Sequence, residues 1–326
     1  MEMEQLNNVN DQEVKVQRAL LDPTASAVTT ISLEDLKAQR VVVTPTDTPL
    51  YSSISGRTRR VTNQHFSWNE STLNSTFTAN KYTNGNTSSL SAISGSTPSK
   101  KGNYIMSIGT VAKVSGIVDA TRVTDDNGGG SMEVELNDKY ALLVRTIEYF
   151  LWKGDHTTNV DEMDGIASIV TTAVQNNGGS GDAPLDVNSL DLAIVQMYNA
   201  GLSPSALYCS PFVAQRIASF ASGRVQYNDT VQAMNGIGQK AFMYASPFGY
   251  VIQVKPTRSD FLPASTAYLL DESKIRLCYM GSAVEQTERL AKIDDTTSVL
   301  MKAYVSIEVQ NKDAHRAIEE VSNDLA

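Results

Sequence analysis

Histidine and cysteine are the residue types that most often form metal or catalytic sites, but their spacing in this chain forms neither. His65, His156 and His315 lie far apart in three different predicted elements. None has a second His or Cys at metal-ligand spacing. Cys209 and Cys278 each lie in an apolar run, which predicts buried free thiols rather than a disulfide or a catalytic pair. We therefore expect no metal site and no cofactor.

The acidic clusters and glycine-containing segments give no stronger signal of chemistry. Asp161, Glu162 and Asp164 lack the later Glu of a calcium-binding loop. The chain has no P-loop, no nucleophile elbow and no dinucleotide-binding fingerprint. A chain of 326 residues without converging polar groups is predicted not to be an enzyme.

The distribution of charge is the most informative feature of the sequence. Residues 51–118 contain one acidic side chain, Glu70, and seven basic ones, a formal charge of +6 in a chain whose net charge is −9. Within this stretch, residues 71–103 are rich in Ser, Thr, Asn and Gly and cannot bury a core of their own. The basic residues are Arg57, Arg59, Arg60, Lys81, Lys100, Lys101 and Lys113. A cationic, polar arm on an acidic body predicts contact with an acidic surface, for which another copy of the chain is one candidate.

Two interpretations of the basic arm remain open at this stage. Arg59 and Arg60 lie near His65, Phe66 and Trp68, a mixture of basic and aromatic residues found in nucleic-acid-binding strips. The favoured interpretation is that the aromatic residues pack at the base of a hairpin while the arginines pair with carboxylates. A sequence pI near 4.9 also argues against general nucleic-acid binding.

The N-terminal residues and the apolar runs of the sequence indicate where in the cell the protein is expected. The N-terminal residues have neither the positive nor the apolar region of a signal peptide. No apolar run reaches the ~18 residues of a membrane span. We expect a cytosolic, reducing environment and no membrane contact.

The N-terminal third is predicted to be an arm followed by a long hairpin. Residues 1–50 carry one short helix, which Ser32 begins and in which Ile31 and Leu36 form a hydrophobic staple. Residues 44–54 are predicted to be extended because Pro45 and Pro49 restrict them. Two β-rich flanks, residues 58–68 and 104–118, are then expected to pair around a tip at residues 80–102.

The clearest helix follows the glycine-rich break at residues 125–131. Acidic residues lie near its beginning, basic residues lie in its second half, and Gly154 can end it. Its apolar stripe, spaced by three and four residues, consists of Leu136, Tyr140, Leu143, Ile147 and Phe150.

The remainder of the chain is predicted to be mixed α/β. A helix capped by Asp186 carries Leu190, Ile194, Met197 and Tyr198 on one face. A buried strand at residues 206–209 precedes a helix that begins at Ser210 and Pro211, and residues 224–239 are predicted to form a loop. Four strands follow near residues 241–244, 250–254, 267–270 and 275–279, then a long alternating strand at residues 299–309 and a terminal helix from Lys312.

This order of parts resembles the major capsid protein of tailed bacteriophages with the Hong Kong 97-like fold, and in particular the SU-ten-type podophage group. The short stretches that carry the resemblance are TPTDTPLYSSI at 44–54, WNESTL at 68–73, MDGI at 163–166, GLSPSALYCSP at 201–211 and NKDAHRAI at 311–318. Their order is more specific than any one of them. The resemblance implies an α+β fold and a structural role in a phage head.

The resemblance assigns a role to each segment of the chain. The segments are an N-terminal arm at 1–55, an extended E-loop hairpin at 56–118, a P-domain with the spine helix at 119–160, an A-domain at 161–285 and a return to the P-domain at 286–326. The inter-subunit contact candidates are Arg57, Arg59, Arg60, Trp68, Lys81, Lys100, Lys101, Leu33, Leu36, Glu133, Glu135 and Asp138.

The implied function is a major capsid protein that assembles into hexamers and pentamers, forming an icosahedral or prolate head around double-stranded DNA. The implied partners are further copies of the chain, a portal protein, a decoration protein and packaged DNA through weak inner-face contacts. We add a separate scaffold protein as a hypothesis, because the first 40 residues are short for a built-in scaffold. The implied location is the virion, with assembly in the host bacterial cytoplasm.

Three alternatives remain open from the sequence. The basic arm at 57–113 could serve a nucleic-acid-binding protein, and the same fold could serve an encapsulin-like compartment shell. A fibre module is suggested by the Ser/Thr/Asn-rich stretch, but a β-fibre should lack the helix at 136–150 and the mixed α/β half.

Overall fold

A computed structural model of the chain describes eight stretches. They are residues 47–73, 96–117, 131–178, 181–220, 225–228, 241–263, 265–292 and 294–322. The predicted helix at Ser32, residues 80–95 of the predicted hairpin tip and most of the predicted loop at 224–239 lie outside these residues.

The described residues contain five α-helices, of which the second is by far the longest. They are α1 (Pro49–Ile54), α2 (Ser131–Lys153), α3 (Ile166–Ile169), α4 (Val187–Asn199) and α5 (Pro211–Ala218). Short 3-10 turns lie at Asn176–Gly178, Glu272–Lys274 and Lys312–Ala314.

Fourteen strands form three sheets within the described residues. The strands are β1 (Thr58–Val61), β2 (His65–Leu73), β3 (Ser96–Tyr104), β4 (Met106–Ser115), β5 (Ala173–Gln175), β6 (Ala206–Cys209), β7 (Val225–Asn228), β8 (Ala241–Ala245), β9 (Val251–Pro256), β10 (Ala267–Leu270), β11 (Ile275–Met280), β12 (Glu285–Arg289), β13 (Thr296–Val309) and β14 (Arg316–Glu319).

One sheet is organised around the long strand β13. β13 pairs antiparallel with β4, β11 and β12, and β1 adds to β11 in parallel. A second sheet has the order β5-β14-β10-β6-β9-β8-β7, and β2 and β3 form a separate two-stranded ribbon.

The first core lies between α2 and the β13 sheet. The predicted alternation along β13 is confirmed from Val299 to Val305, where every second residue is buried, whereas all residues from Val305 to Val309 are buried. Each large apolar side chain in such a core contributes about 1.5–3 kcal/mol by leaving water. Its principal members on α2 and β13 are Leu143, Ile147, Leu151, Trp152, Met301, Ala303, Val305, Ile307 and Val309.

The end of α2 is fixed by a close approach of backbone. Gly154 donates to the carbonyl of Phe150 at 3.0 Å and accepts from the amide of Gly165 at 2.9 Å. A side chain at Gly154 would collide with the carbonyl oxygen of Met163. The predicted helix end at Gly154 is therefore confirmed, and the reason is space rather than a left-handed conformation.

The second core packs α4 and α5 against the seven-stranded sheet. Leu190, Ile194 and Met197 of α4 are fully buried, and Gly201 follows with a φ of +89°. The helix predicted to begin at Ser210 and Pro211 is α5, and Ser210 caps it by accepting from the amide of Val213 at 3.4 Å. Two details of the α4 prediction are wrong: Asp186 makes no side-chain cap hydrogen bond, and Tyr198 is 59% exposed.

The segment before the hairpin is helical where the sequence predicted an extended chain. Pro49 occupies the first turn of α1, a position that needs no amide hydrogen. Leu50 and Ile54 lie on one face and are fully buried in the first core. Their burial outweighs the preference of the two prolines for extended neighbours.

The strands predicted to form the hairpin are partly wrong. The residues from Met106 to Ser115 alternate as predicted, but they pair with β13 rather than with residues 58–68. The true partner of β2 is β3, which the sequence had assigned to the polar tip. The residues of β4 do alternate between buried and exposed. Their apolar face packs in the core beneath α2, which buries more of their surface than a hairpin with residues 58–68 would.

Two further elements differ from the prediction. Residues Val225–Asn228 form a strand that pairs with β8 rather than a loop. The residues after Lys312 form a 3-10 turn and then β14, not a terminal helix. β14 bridges β5 and β10 within the second sheet, so pairing with two neighbours replaces the helical hydrogen bonds.

Candidate subunit interface

Strands β2 and β3 form a two-stranded ribbon apart from the two larger sheets of the described residues. β2 and β3 pair in register from His65 opposite Tyr104 to Leu73 opposite Ser96. They join neither of the two larger sheets. The far end of β2 is exposed, and Leu73 retains 77% of its accessible surface. Two strands alone are marginally stable in water, so the ribbon depends on its base and on whatever covers its edges.

Asn103 anchors the base of the ribbon. Its Nδ2 donates to the carbonyls of Asp164 and Ile307, both at 2.9 Å. Its Oδ1 accepts from the amides of Asp164 at 3.0 Å and Tyr104 at 2.7 Å. The side chain is fully buried, so these bonds fix the ribbon to β13 and to the loop after α2.

Replacing Asn103 by Ala is expected to lower the free energy of unfolding by about 3 kcal/mol, because buried backbone groups lose their partners. The midpoint of urea unfolding measures this change. Asn69→Ala is the matched control, since Asn69 lies on the same ribbon but is exposed, and we expect less than about 0.5 kcal/mol. Equal losses in both variants would show that Asn103 is not the anchor.

Two of the three histidines meet at the same place. Tyr104 stacks on His156 with ring centroids 3.6 Å apart and lies 4.8 Å from His65. His156 also has its Nδ1 3.0 Å from the carbonyl of Glu162. The prediction that the histidines are far apart is therefore wrong for this pair, because ribbon pairing brings Tyr104 between them. His315 lies elsewhere, where burial lowers its pKa to about 4.

Two of the predicted contact arginines pair within the chain. Arg59 contacts Glu308 at 2.5 Å and lies over the ring of Phe66 at 6.0 Å. Arg57 contacts Glu272 at 3.4 Å. The favoured interpretation of the sequence, in which Arg59 and Arg60 pair with carboxylates, is confirmed for Arg59, whereas Arg60 is exposed. Arg57, which that interpretation did not include, also pairs with a carboxylate.

Besides Arg57, two further side chains donate hydrogen bonds to the carboxylate of Glu272. Lys255 contacts it at 2.6 Å and the hydroxyl of Tyr208 donates to it at 2.6 Å. Burial alone would raise the pKa of Glu272, but the bonds from Lys255 and Tyr208 and the charges of Lys255 and Arg57 lower it overall. Through Glu272, the side chains of Arg57 (just before β1), Tyr208 (β6) and Lys255 (β9) are held together, and the role of this cluster is structural.

The remaining basic candidates stay on the surface. Arg60 and Lys100 are exposed and Lys101 is half-buried. Lys113 forms an exposed pair with Asp294 at 3.2 Å. Trp68 donates its indole N–H to Glu70 at 2.9 Å and lies 6.0 Å from Phe66.

The acidic candidates lie on the first three turns of α2. Glu133 is exposed, and Asp138 is half-buried. Glu135 pairs with Lys139 at 3.4 Å, a contact between partly exposed side chains that contributes little stability. The candidates Leu33, Leu36 and Lys81 lie outside the described residues.

A buried carboxylate joins α1 to α2. Glu148 accepts from the amides of Leu50 at 3.1 Å and Tyr51 at 2.7 Å, and from the indole N–H of Trp152 at 2.9 Å. Burial raises the pKa of Glu148, and these hydrogen bonds oppose the rise. The sequence analysis missed this residue. The sequence feature that could have indicated a buried carboxylate is that Glu148 is the only charged side chain between Arg145 and Lys153.

A second carboxylate links the same helices to the β13 sheet. The hydroxyl of Tyr51 donates to Glu285 on β12. Burial, and then this contact with Glu285, raise the pKa of Tyr51. Burial, followed by the charge of Glu285, likewise raises the pKa of Tyr140 on α2. The N-terminal side of the described chain is thus fixed to both layers of the first core.

The described residues were also compared with the requirements of a metal site, a reactive thiol and a membrane-spanning helix. Among the described residues, no group of three or more His, Cys, Asp or Glu could hold a metal ion. Both cysteines are free and buried, as predicted, and burial raises the pKa of each thiol to about 12. None of the described helices has the length and apolar character needed to cross a bilayer.

Comparison with known sequences gives one match. The sequence profile of the family described as SU10 major capsid protein matches residues 23–322. No curated protein sequence matches the chain significantly.

Comparison with solved structures gives matches along nearly the whole chain. The holo-SrpI encapsulin complex from Synechococcus elongatus PCC 7942 has a TM-score of 0.60 at 13% identity, covering 94% of this chain and 95% of that one. The capsid of cyanophage A-1(L) has a TM-score of 0.59 at 11% identity, covering 90% and 99%. The capsid of a native GTA particle has a TM-score of 0.58 at 14% identity, covering 92% and 99%. At such low identities the likeness concerns the fold alone.

Proposed function

Because the chain belongs to the SU10 major capsid protein family, we propose that its β2–β3 ribbon lies over the acidic beginning of α2 in a neighbouring subunit. The chain is a structural major capsid protein, and its α+β fold is Hong Kong 97-like, as the resemblance predicted. Such proteins assemble with copies of themselves into shells. The proposal concerns which surfaces make the contact.

The observation that carries the proposal is the isolated ribbon. Nine residue pairs hold β2 to β3, yet within the described residues neither strand joins a larger sheet. Unpaired strand edges favour pairing with another chain. Exposed Leu73 at the far end adds apolar surface that a neighbour can bury.

Charge determines the register of this contact. Arg57 and Arg59 are engaged inside the subunit, so the outward cations of the described ribbon and its base are Arg60, Lys100 and Lys101. The complementary surface is the beginning of α2, which carries Glu133, Glu135 and Asp138. Such complementarity sets orientation and association rate more than affinity. The affinity comes from apolar burial and added strand pairing.

The contact joins two different surfaces, so it is heterologous and closes into rings. We assign rings of five and six, which together form an icosahedral or prolate head. The segments keep the roles proposed from the sequence: arm at 1–55, E-loop at 56–118, P-domain at 119–160 and 286–326, and A-domain at 161–285.

The role is structural rather than enzymatic. A portal protein, a separate scaffold protein and a decoration protein are the expected partners, together with packaged DNA at the inner face. Assembly in the host cytoplasm is part of the same proposal.

An encapsulin-like compartment is the second candidate. The structural likeness to an encapsulin complex favours it. A head and a compartment differ in content, so the nucleic acid in purified particles separates them. A DNA-binding role for the arm is less favoured, because the pairing of Arg57 and Arg59 leaves few free cations for phosphate.

Electron microscopy of the purified chain tests the proposal, with closed shells or rings of five and six expected. The triple variant Arg60→Glu, Lys100→Glu and Lys101→Glu should assemble at least tenfold more slowly at low salt, because like charges then oppose docking. A control with the same change in charge replaces Arg216, Arg289 and Lys292 by Glu, and these residues are exposed away from the ribbon. Equal assembly of both variants would refute the assignment of the ribbon cations.

A further inference from the structure

Glu70 is a side chain that the function proposed above leaves without a role. It is the single acidic residue among residues 51–118, a stretch that carries seven basic ones. Its carboxylate accepts from the backbone amide of Asn311 at 2.8 Å and from the indole N–H of Trp68 at 2.9 Å. The bond from Asn311 leaves the ribbon and reaches the turn between β13 and β14.

The turn that Glu70 contacts is itself firmly held. Asn311 has a φ of +53°, in the left-handed region that Asn tolerates better than most residues. Its Nδ2 donates to the carbonyl of Ala200, at the end of α4, at 3.2 Å. The turn follows β13 of the first sheet and precedes β14 of the second sheet. Glu70 therefore ties the ribbon to a place that both sheets fix.

The exposure of β2 changes at Glu70. Phe66 is buried, and three of the next four residues are half-buried. The three residues after Glu70, Ser71–Leu73, are all exposed. Glu70 thus lies at the boundary between the part of β2 that rests on the subunit and the part that extends from it.

Two separate anchors give the ribbon a direction. Asn103 lies opposite Phe66 in the ladder and holds the base, as described above. One anchor alone leaves a two-stranded ribbon free to swing about its base. Glu70 is four residues beyond Phe66 along β2, about 13 Å in an extended strand. A second attachment at that distance removes the swing.

We propose that Glu70 is a positioning residue, which fixes the direction of the ribbon by latching it to the turn at Asn311. The latch acts within one subunit. It joins two of the short stretches that carry the family resemblance, residues 68–73 and 311–318. Its consequence for assembly rests on the ribbon contact proposed above, because a heterologous contact closes into a ring only when the rotation between subunits is constant.

Distance measurement by electron spin resonance on the full-length chain tests the latch. Nitroxide labels are placed on Leu73→Cys in the ribbon and Leu192→Cys on α4, both exposed positions. The native cysteines are buried and stay unlabelled, and an excess of unlabelled chain leaves only distances within one subunit. Glu70→Ala is expected to widen the distance distribution about twofold, because the ribbon then swings about its base. An unchanged distribution would overturn the latch.

Two control variants separate the latch from a general loosening of the ribbon. Glu70→Gln keeps an oxygen that can accept from Asn311, so its distribution is expected to stay as narrow as that of the wild type. Asn69→Ala removes an exposed neighbour on the same strand and should also change nothing. Equal widening in all three variants would show that the carboxylate of Glu70 does not hold the ribbon.

Particle size distinguishes the latch from the ribbon contact. If both proposals hold, electron microscopy of Glu70→Ala shows a wider range of particle diameters than the wild type, and Glu70→Gln restores the wild-type range. Particles of uniform size, together with a widened distance distribution, would support the latch and contradict the ribbon contact as the source of the ring geometry.

Discussion

A subunit whose ribbon is shortened to its described strands is expected to fold normally and to form no shells. The change removes residues 74–95 and joins Leu73 to Ser96 through an Asn-Gly turn. These two residues are the last pair of the β2–β3 ladder, and Asn-Gly suits a two-residue hairpin connection. We expect assembly to fail because the shortened arm covers less of the neighbouring subunit than the full-length arm does.

The design spares the contacts that hold the ribbon base. A deletion of residues 80–102, the hairpin tip predicted from the sequence, would remove most of β3 and leave β2 unpaired. The shorter deletion keeps Asn103 and its hydrogen bonds to β13 and the loop after α2. Loss of assembly can then be separated from loss of folding.

Sedimentation velocity and electron microscopy measure the outcome. The control is the stability of the shortened subunit, which should lie within about 0.5 kcal/mol of the full chain because the deletion leaves every described contact in place. Closed shells from the shortened subunit would show that residues 74–95 are not needed for assembly and that the described ribbon suffices for the contact.

Replacing Glu148 by Ala is expected to cost about 4 kcal/mol of unfolding free energy. The substitution removes the acceptor for three N–H groups, on Leu50, Tyr51 and Trp152. Each buried donor left without a partner costs about 1–3 kcal/mol. The loss is large against the 5–15 kcal/mol typical of a folded domain. The first effect should be release of α1 from α2.

Urea unfolding measures the stability, and protease sensitivity near Pro49 reports on α1. Glu133→Ala is the matched control on the same helix, since Glu133 is exposed in the first turn. We expect it to cost less than about 1 kcal/mol, the usual contribution of a charge at a helix end. Similar losses in both variants would show that Glu148 does not hold α1.

The same residue predicts a dependence on pH. Because burial raises the pKa of Glu148 in the folded state, the folded protein binds its proton more tightly than the unfolded chain. The stability from this group is complete below the unfolded pKa of about 4.3 and is lost as pH rises through the folded value. Glu148→Gln cannot ionise, so the difference in stability between wild type and this variant should change with pH over that window. A constant difference would contradict the assignment.

The sequence alone determined the features that depend on local periodicity. The stripe from Leu136 to Phe150 predicts α2, and the alternation from Val299 to Val309 predicts β13, because a helix and a strand repeat with different periods. The beginning of α5 at Ser210 and Pro211 and the family resemblance follow from short ordered stretches in the same way. These features need no knowledge of what lies across the core.

Only the tertiary structure decided which strands pair and which polar groups meet. The alternation of β4 is the same whether it pairs with β2 or with β13, and burial beneath α2 selects β13. Asn103 meets Ile307 across 204 residues and Glu148 meets Leu50 across 98, so no local pattern reports these contacts. Likewise, the count of basic residues predicts a cationic arm, but only the fold shows that Arg57 and Arg59 are neutralised inside the subunit. Pairing between distant residues depends on packing in three dimensions, which the order of residues along the chain does not display.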